Sequence, residues 1–356
     1  MKSPLFKTTY AARAVSHFQI DASRNLTHSP MLGDLACFEV LSIGKHSRMQ
    51  MADKTLQHIY PGDQLMAVVG PRYATAQFEG YVPPKPTEEF HILGQGGAVG
   101  YLESAHSKFA KVGPTCLRLI GYAHDEQGSV INTRYYGQTP REFKREHLLS
   151  PFQTILSVGS SMDSGKTTTA AYLSKGLGAA GKRVAYIKLT GTIYSKDADL
   201  NFGLGAEMAI DFSHFGYPST FTLDLPELLQ LHESLLSVVG SIQPDYVIIE
   251  VADGILQRET AGLLLSSEFM NTIDHVLYSC GDSLAALGGL QRLRQMHIEP
   301  LAICGAVTAS PLMIQEIQSF TSLPILSLSA LSNPEVLKRF APAQATPLLK
   351  SFLKSA

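Results

Sequence analysis

At 356 residues the chain can hold two cores, because single cores seldom grow beyond about 250 residues. Its composition is 45% hydrophobic and 17% charged, too apolar for disorder, and a net charge of −2 supplies no field to draw in nucleic acid or an acidic membrane. Cys37, Cys116, Cys280 and Cys304 are too scattered for a metal motif or a disulfide framework; with no signal-peptide pattern and no run of about 20 apolar residues, a soluble cytoplasmic protein with reduced thiols is expected.

In chain order, residues 35–137 are short β-type runs broken by turn signals. LACFEVLSIG, LQHIY and QLMAVVG come first, with Pro61-Gly62-Asp63 between the last two. FHILGQGGAVGYLES, CLRLIGYAH and SVINTRYYG follow, and no helical period intervenes, so residues 1–137 are expected to form a β-rich barrel- or sandwich-like domain. The charged, proline-bounded stretch 138–151 reads as a linker or short connecting helix. From 152 to 356, apolar strand runs (TILSVG, RVAYIKL, YVIIEVA, DHVLYSC, PLAICGAV, PILSLS) alternate with helical patterns. That alternation predicts an α/β domain with a mainly parallel sheet covered on both faces.

The most informative stretch is the junction of TILSVG, 154–159, with SSMDSGKTTT, 160–169. A buried strand enters a small-residue loop that ends in Gly-Lys-Thr at the start of an apolar helix. This is the pattern of a phosphate loop, in which backbone N–H groups and the helix N-terminus meet phosphate oxygens. Ser161, Asp163, Ser164, Gly165, Lys166, Thr167 and Thr168 are the expected cradle; Lys166 reaches the terminal phosphates and the Thr167 hydroxyl ligates Mg²⁺. One departure is visible: GxxxxGK[ST] wants its first glycine where Ser160 stands, and Gly159 lies one residue too early.

Other residues are expected at the same sheet edge. Lys188 ends the second strand of the domain, where a cation can reach transferred phosphate. Asp197, Asp199, Glu207 and Asp211 follow, and one acid near Asp197 is a candidate Mg²⁺ ligand. YVIIE is a run of apolar residues ending in Glu250, a Walker-B-like strand whose carboxylate is expected to bind metal or orient water, with Asp253 in the next loop. Thr308 and Ser310 read as turn residues.

Gly159 to Thr167, Lys188-Leu189-Thr190-Gly191 and Glu250 to Gly254 together resemble dethiobiotin synthetase and its relatives in the P-loop class, over roughly 152–342. The resemblance implies Mg²⁺ held by Thr167, Glu250 and an acid near Asp197, with Lys166 and Lys188 stabilising the phosphoryl group. The region also looks like the P-loop domain of a family that includes a bacterial D-glutamate N-acetyltransferase, in which the loop could serve an acyl-CoA pyrophosphate. The expected function is a Mg²⁺- and ATP- or GTP-dependent transferase or ligase that phosphorylates or activates a small-molecule acceptor, with Lys166, Lys188 and Glu250 as catalytic residues. The alternatives are an acyl-CoA-dependent N-acyltransferase and a regulatory or chaperone-type NTPase. The β-rich half is expected to shape the acceptor site or to form a homo-oligomer contact.

Other signals read as structural. In the 94–100 run, Val99 stands where a dinucleotide fingerprint needs its third glycine, so a strand bend is expected. His46, His58 and His91 lack metal spacing, and Arg141, Lys144 and Arg145 read as a solvated helix face.

Overall fold

A computed structural model describes residues 6–23, 25–136, 140–143 and 152–340. Most of the expected linker, including Lys144 and Arg145, lies outside the described residues; of its basic cluster only Arg141 falls within them, exposed, its amide donating to Ser234 Oγ at 2.6 Å.

The first half contains the strands β1 (Lys7–Thr8), β2 (Gln19–Asp21), β3 (Leu35–Ser42), β4 (Arg48–Gln50), β5 (Leu56–His58), β6 (Gln64–Val69), β7 (Arg72–Tyr73), β8 (Phe78–Tyr81), β9 (Glu89–Ile92), β10 (Ala98–Ala105) and β11 (Cys116–His124). Of the two architectures expected, the barrel is the one formed. β6, β3, β11, β9 and β10 pair antiparallel in that order, and β10 then pairs parallel with β6 to close the ring.

Period-2 alternation sends Phe38, Val40, Leu65, Ala67, Phe90, Ile92, Val99, Leu117 and Leu119 inward, where they pack as one cluster. Their outward-facing neighbours Leu35, Cys37, Met66, Val68 and Ala98 are buried too, because they join an apolar cluster continuous with the second half. Burial on both faces is why residues 35–38 of β3 and 65–69 of β6 read as continuous apolar runs rather than as alternating ones. The glycine-rich run near 94–97 proves to be the hairpin loop between β9 and β10, not a bend within a strand. Gly97 there adopts a φ of +106°, which any side chain would strain.

The second half carries β12 (Gln153–Gly159), α1 (Lys166–Ala179), β13 (Val184–Lys188), α2 (Lys196–Gly203), β14 (Met208–Asp211), α3 (Leu225–Gly240), β15 (Tyr246–Glu250), α4 (Arg258–Leu265), α5 (Ser267–Met270), β16 (His275–Ser279), α6 (Ser283–Gln295), β17 (Ala302–Cys304), α7 (Pro311–Gln318) and α8 (Leu328–Leu331). Its six strands form a wholly parallel sheet in the order β14-β13-β15-β12-β16-β17. One sheet face, with Leu156, Val158, Ile187, Ile249 and Tyr278, packs against α3, α4, α6 and the barrel. The other, with Ile155, Tyr186, Ile248 and Leu277, packs against α1 and the α8 region.

Two elements differ from the sequence reading. PILSLS makes only a single parallel bridge, Ile303 to Ile325, because Ser327 caps α8 instead of extending a strand. The acidic stretch 195–211 holds a helix and the edge strand β14, which its polarity conceals. Among the described residues no helix is long and apolar enough to cross a membrane.

Polar contacts fasten the halves together. Gln50 Nε2 donates to Ser195 Oγ at 2.8 Å and Gln50 Oε1 accepts from Ser195 N at 3.1 Å, while Thr133 Oγ1 donates to the Gly216 carbonyl at 2.6 Å and Arg134 pairs with Glu227. The result is a cleft walled by the barrel on one side and the C-terminal edge of the parallel sheet on the other.

Candidate functional site

β12 has β15 on one side and β16 on the other, and the chain leaves it first toward β13, then returns across it to β16. Such a reversal of strand order opens a crevice at the carboxyl ends of the strands. The loop 160–165 lies there, and the cleft beside it has a volume of about 510 Å³, within the range of small-molecule and cofactor sites. Ser160 N donates to the Ser279 carbonyl at 2.9 Å, anchoring the loop to β16. Among the described hydrogen bonds, the amides of Gly165, Lys166 and Thr167 have no acceptor, as the first turn of a helix leaves them.

The displaced glycine now has an explanation. A Cβ on Gly159 would stand 2.2 Å from Ser164 Oγ, so the strand's last residue, rather than the one after it, is where the loop folds back most tightly. Behind the loop, a Cβ on Gly305 would lie 2.2 Å from the Ser164 carbonyl, so a glycine lets the β17 turn support the cradle.

Around this cradle the predicted residues converge. Register pairs Ser157 with Glu250 and Glu250 with Lys188, which places them side by side at the sheet edge. Glu250 is 2% exposed; its Oε1 accepts from Thr167 Oγ1 at 2.9 Å and its Oε2 from Tyr186 OH at 2.7 Å. Burial, reinforced by Asp197, raises its carboxyl above the ordinary glutamate value against the pull of Lys188, Tyr186 and Lys166. Lys166 curls over the loop and donates from Nζ to the Ser161 carbonyl at 2.7 Å. Burial lowers its ammonium, with Glu250 and Asp253 opposing. Lys188 forms an ion pair with Asp197; burial pulls its ammonium down, but Asp197 and Glu250 outweigh burial and the net shift is upward.

Ser161 and Asp163 are exposed at the loop tip, Ser164 is buried beneath it, and Thr168 is half-buried in the first turn of α1. Of the other acids considered, Asp199 is taken up by Ser195 and Lys54, and Asp211 caps the turn at Ser213. Thr308 donates to the Gly305 carbonyl at 2.8 Å and Ser310 caps α7, as turn residues do. Among the described residues no three His, Cys, Asp or Glu side chains converge as a metal cluster. Thr167 Oγ1 and Glu250 are nevertheless hard oxygen donors in contact, a set that suits a Mg²⁺ completed by phosphate oxygens and water.

The barrel supplies residues to which sequence reasoning gave no individual functional role. Arg72, Tyr73, Gln77, Gly94 and Gln95 line the cleft opposite the loop, together with Phe221, whose ring packs 5.4 Å from that of Tyr73. His46 also reaches it, and its environment fixes its proton. The Ile92 carbonyl, 3.1 Å from Nδ1, can only accept, so Nδ1 carries the hydrogen and Nε2 faces the Lys45 ammonium at 3.2 Å. Burial first, then Lys45 and Arg72, holds His46 neutral well below the ordinary histidine value.

A depressed pKa stabilises the fold fully above the unfolded value, near 6.5, and that contribution is lost as pH falls toward the folded value. Wild type should therefore lose about 1 kcal/mol more than His46→Asn between pH 6.5 and pH 5.5, read from urea unfolding at the two values. Identical losses would show that His46 titrates normally.

No protein-family model matches the chain, and no curated protein does. Solved structures similar to parts of it include the signal recognition particle receptor FtsY from Elizabethkingia anophelis in complex with GDP, at 16% identity and a TM-score of 0.35 over 49% of this chain and 56% of that one. HypB from Helicobacter pylori in complex with nickel is similar at 16% identity and a TM-score of 0.37, over 55% of this chain and 88% of that one. The nucleotide-binding protein in complex with ADP from Archaeoglobus fulgidus is similar at 13% identity and a TM-score of 0.32, over 56% and 93%. The chain thus spans just over half the length of the FtsY chain it matches. Its fold is set by its own strand order and strand–loop–helix junction: a parallel α/β P-loop sheet preceded by a β-barrel.

Proposed function

We propose that the cleft binds a Mg²⁺–nucleoside triphosphate and transfers its terminal phosphoryl group to a small-molecule acceptor, or uses it to activate one. The observation that carries this reading is the 2.9 Å contact of Thr167 Oγ1 with Glu250, made beside helix amides that lack acceptors. The open amides of Gly165 to Thr167 would hold phosphate oxygens, and Thr167 and Glu250, with Asp197 close by, would hold the metal. Bound Mg²⁺ offsets the charge of the phosphate oxygens. Lys166 would swing from the Ser161 carbonyl onto the terminal phosphates, and Lys188, kept charged by Asp197, would face the oxygens of the moving group. As the acceptor's nucleophile bonds to the terminal phosphorus, the bond to the bridging oxygen breaks and nucleoside diphosphate leaves. Catalysis is then mainly positioning and charge stabilisation.

Thermal unfolding with ATP, GTP and acetyl-CoA, each with Mg²⁺ or with EDTA, tests this. A nucleoside triphosphate at a hundredfold excess over its Kd should add about 2.7 kcal/mol of stability, and EDTA should remove most of it. Stabilisation by acetyl-CoA alone, indifferent to EDTA, would replace this reading with that of an acyl-CoA-dependent transferase.

A further inference from the structure

We infer that the barrel wall of the cleft is the acceptor site, and that Arg72 seats an oxyanion of the acceptor, a carboxylate or a phosphate, facing the phosphate loop. This rests on the reading of the loop as a nucleotide site. Arg72 belongs to the short strand β7, and its side chain is steered into the cleft by neutral groups alone. One guanidinium nitrogen donates to the Leu93 carbonyl, a second to Gln77 Oε1 at 2.7 Å, and Nε, though buried, has no partner among the described residues. Lys45 donates to the same Gln77 oxygen. Among the described residues neither cation has a carboxylate within ion-pair range.

Two cations that share one amide oxygen repel each other, and burial adds to the cost. Burial draws Arg72 down to about 10, against the pull of Asp253, and burial with the charges of Arg72 and Lys108 draws Lys45 down to about 8. An anion would relieve both penalties, since a planar guanidinium pairs with carboxylate or phosphate in fork geometry. The nucleotide's own phosphates have their partners on the opposite wall, in the loop amides and Lys166. Across the cleft, Asp253 Oδ2 is another buried polar atom without a partner among the described residues. It offers an acceptor for an N–H or O–H of the same molecule. The acceptor class is therefore a small oxyanion that also carries a hydrogen-bond-donating nucleophile, lodged against Tyr73 and Phe221.

The test uses the full chain saturated with MgADP. Small hydroxy acids, amino acids and phosphomonoesters are each compared with the neutral amide or the unphosphorylated parent, by thermal shift and then calorimetry. Members of the anionic set should stabilise the protein and their neutral counterparts should not. Arg72→Gln should weaken the best anion at least tenfold while the MgADP affinity holds, and Arg72→Lys should recover part of the loss. Equal binding by neutral compounds, no binding by any anion, or unchanged anion binding in Arg72→Gln would overturn the assignment. So would a tenfold loss of MgADP affinity in Arg72→Gln, which would move Arg72 to the nucleotide. Failure of the wild type to bind MgADP would instead strike the nucleotide reading itself.

Discussion

Lys166→Ala should reduce single-turnover formation of nucleoside diphosphate from Mg²⁺–nucleoside triphosphate by about 10²–10³-fold, the usual loss when one charge-stabilising group is removed. Lys166 is 6% exposed, and its ammonium donates to a single neutral carbonyl, that of Ser161. Its lowered pKa shows that burial works against its charge, even with Glu250 and Asp253 nearby. A group held charged at a cost, beside amides without acceptors, gains most when a polyanion arrives. For the same reason the substitution should leave the ligand-free protein no less stable at neutral pH. A lysine whose folded pKa is depressed contributes stability only above its unfolded value, so little is lost below it. Turnover within threefold of wild type, or unfolding of the variant without ligand, would each defeat this account.

The phosphate-loop half was legible because its elements are contiguous in the chain. TILSVG, the loop and the helix from Lys166 occupy one uninterrupted stretch, so local patterning sufficed to place them. Glu250 and Lys188 were readable because each ends an apolar run, and parallel register then carries both to the same sheet edge. The barrel wall was not readable in this way. Arg72 and Gln77 lie about 90 residues before Lys166, and tertiary packing brings that wall to the cleft, through the apolar cluster that Leu35, Met66 and Val68 share with the second half and through polar contacts such as that of Gln50 with Ser195. Nothing in the local sequence around Arg72 distinguishes it from a solvated surface arginine. The one available signal was indirect: β3 and β6 are apolar on both faces, which an isolated barrel does not require. Helix α2 escaped notice for a different reason, since Asp197, Asp199 and Lys196 make its first turn polar, and what holds it is packing against α1, β13 and β14.

Glu250→Gln should separate metal dependence from folding. The carboxylate is enclosed by Thr167, Tyr186, Lys166 and Lys188, and burial with Asp197 raises its pKa above that of a free glutamate. A carboxyl raised in this way stabilises the fold fully at pH values below its unfolded pKa, and the contribution fades as pH rises through the folded value. At pH 8 a neutral amide therefore removes a desolvation cost, and Lys188 keeps Asp197 as its counter-charge. The variant should unfold at or above the wild-type temperature at pH 8, with the difference narrowing toward acid. Its nucleotide binding should respond differently. Wild type should bind nucleoside triphosphate more tightly with Mg²⁺ than with EDTA, whereas the variant should lose that gain, a tenfold loss corresponding to about 1.4 kcal/mol. Retained Mg²⁺ dependence would remove Glu250 from the metal site. Loss of affinity equally in Mg²⁺ and in EDTA would instead give the carboxylate a role in holding Thr167 and the loop.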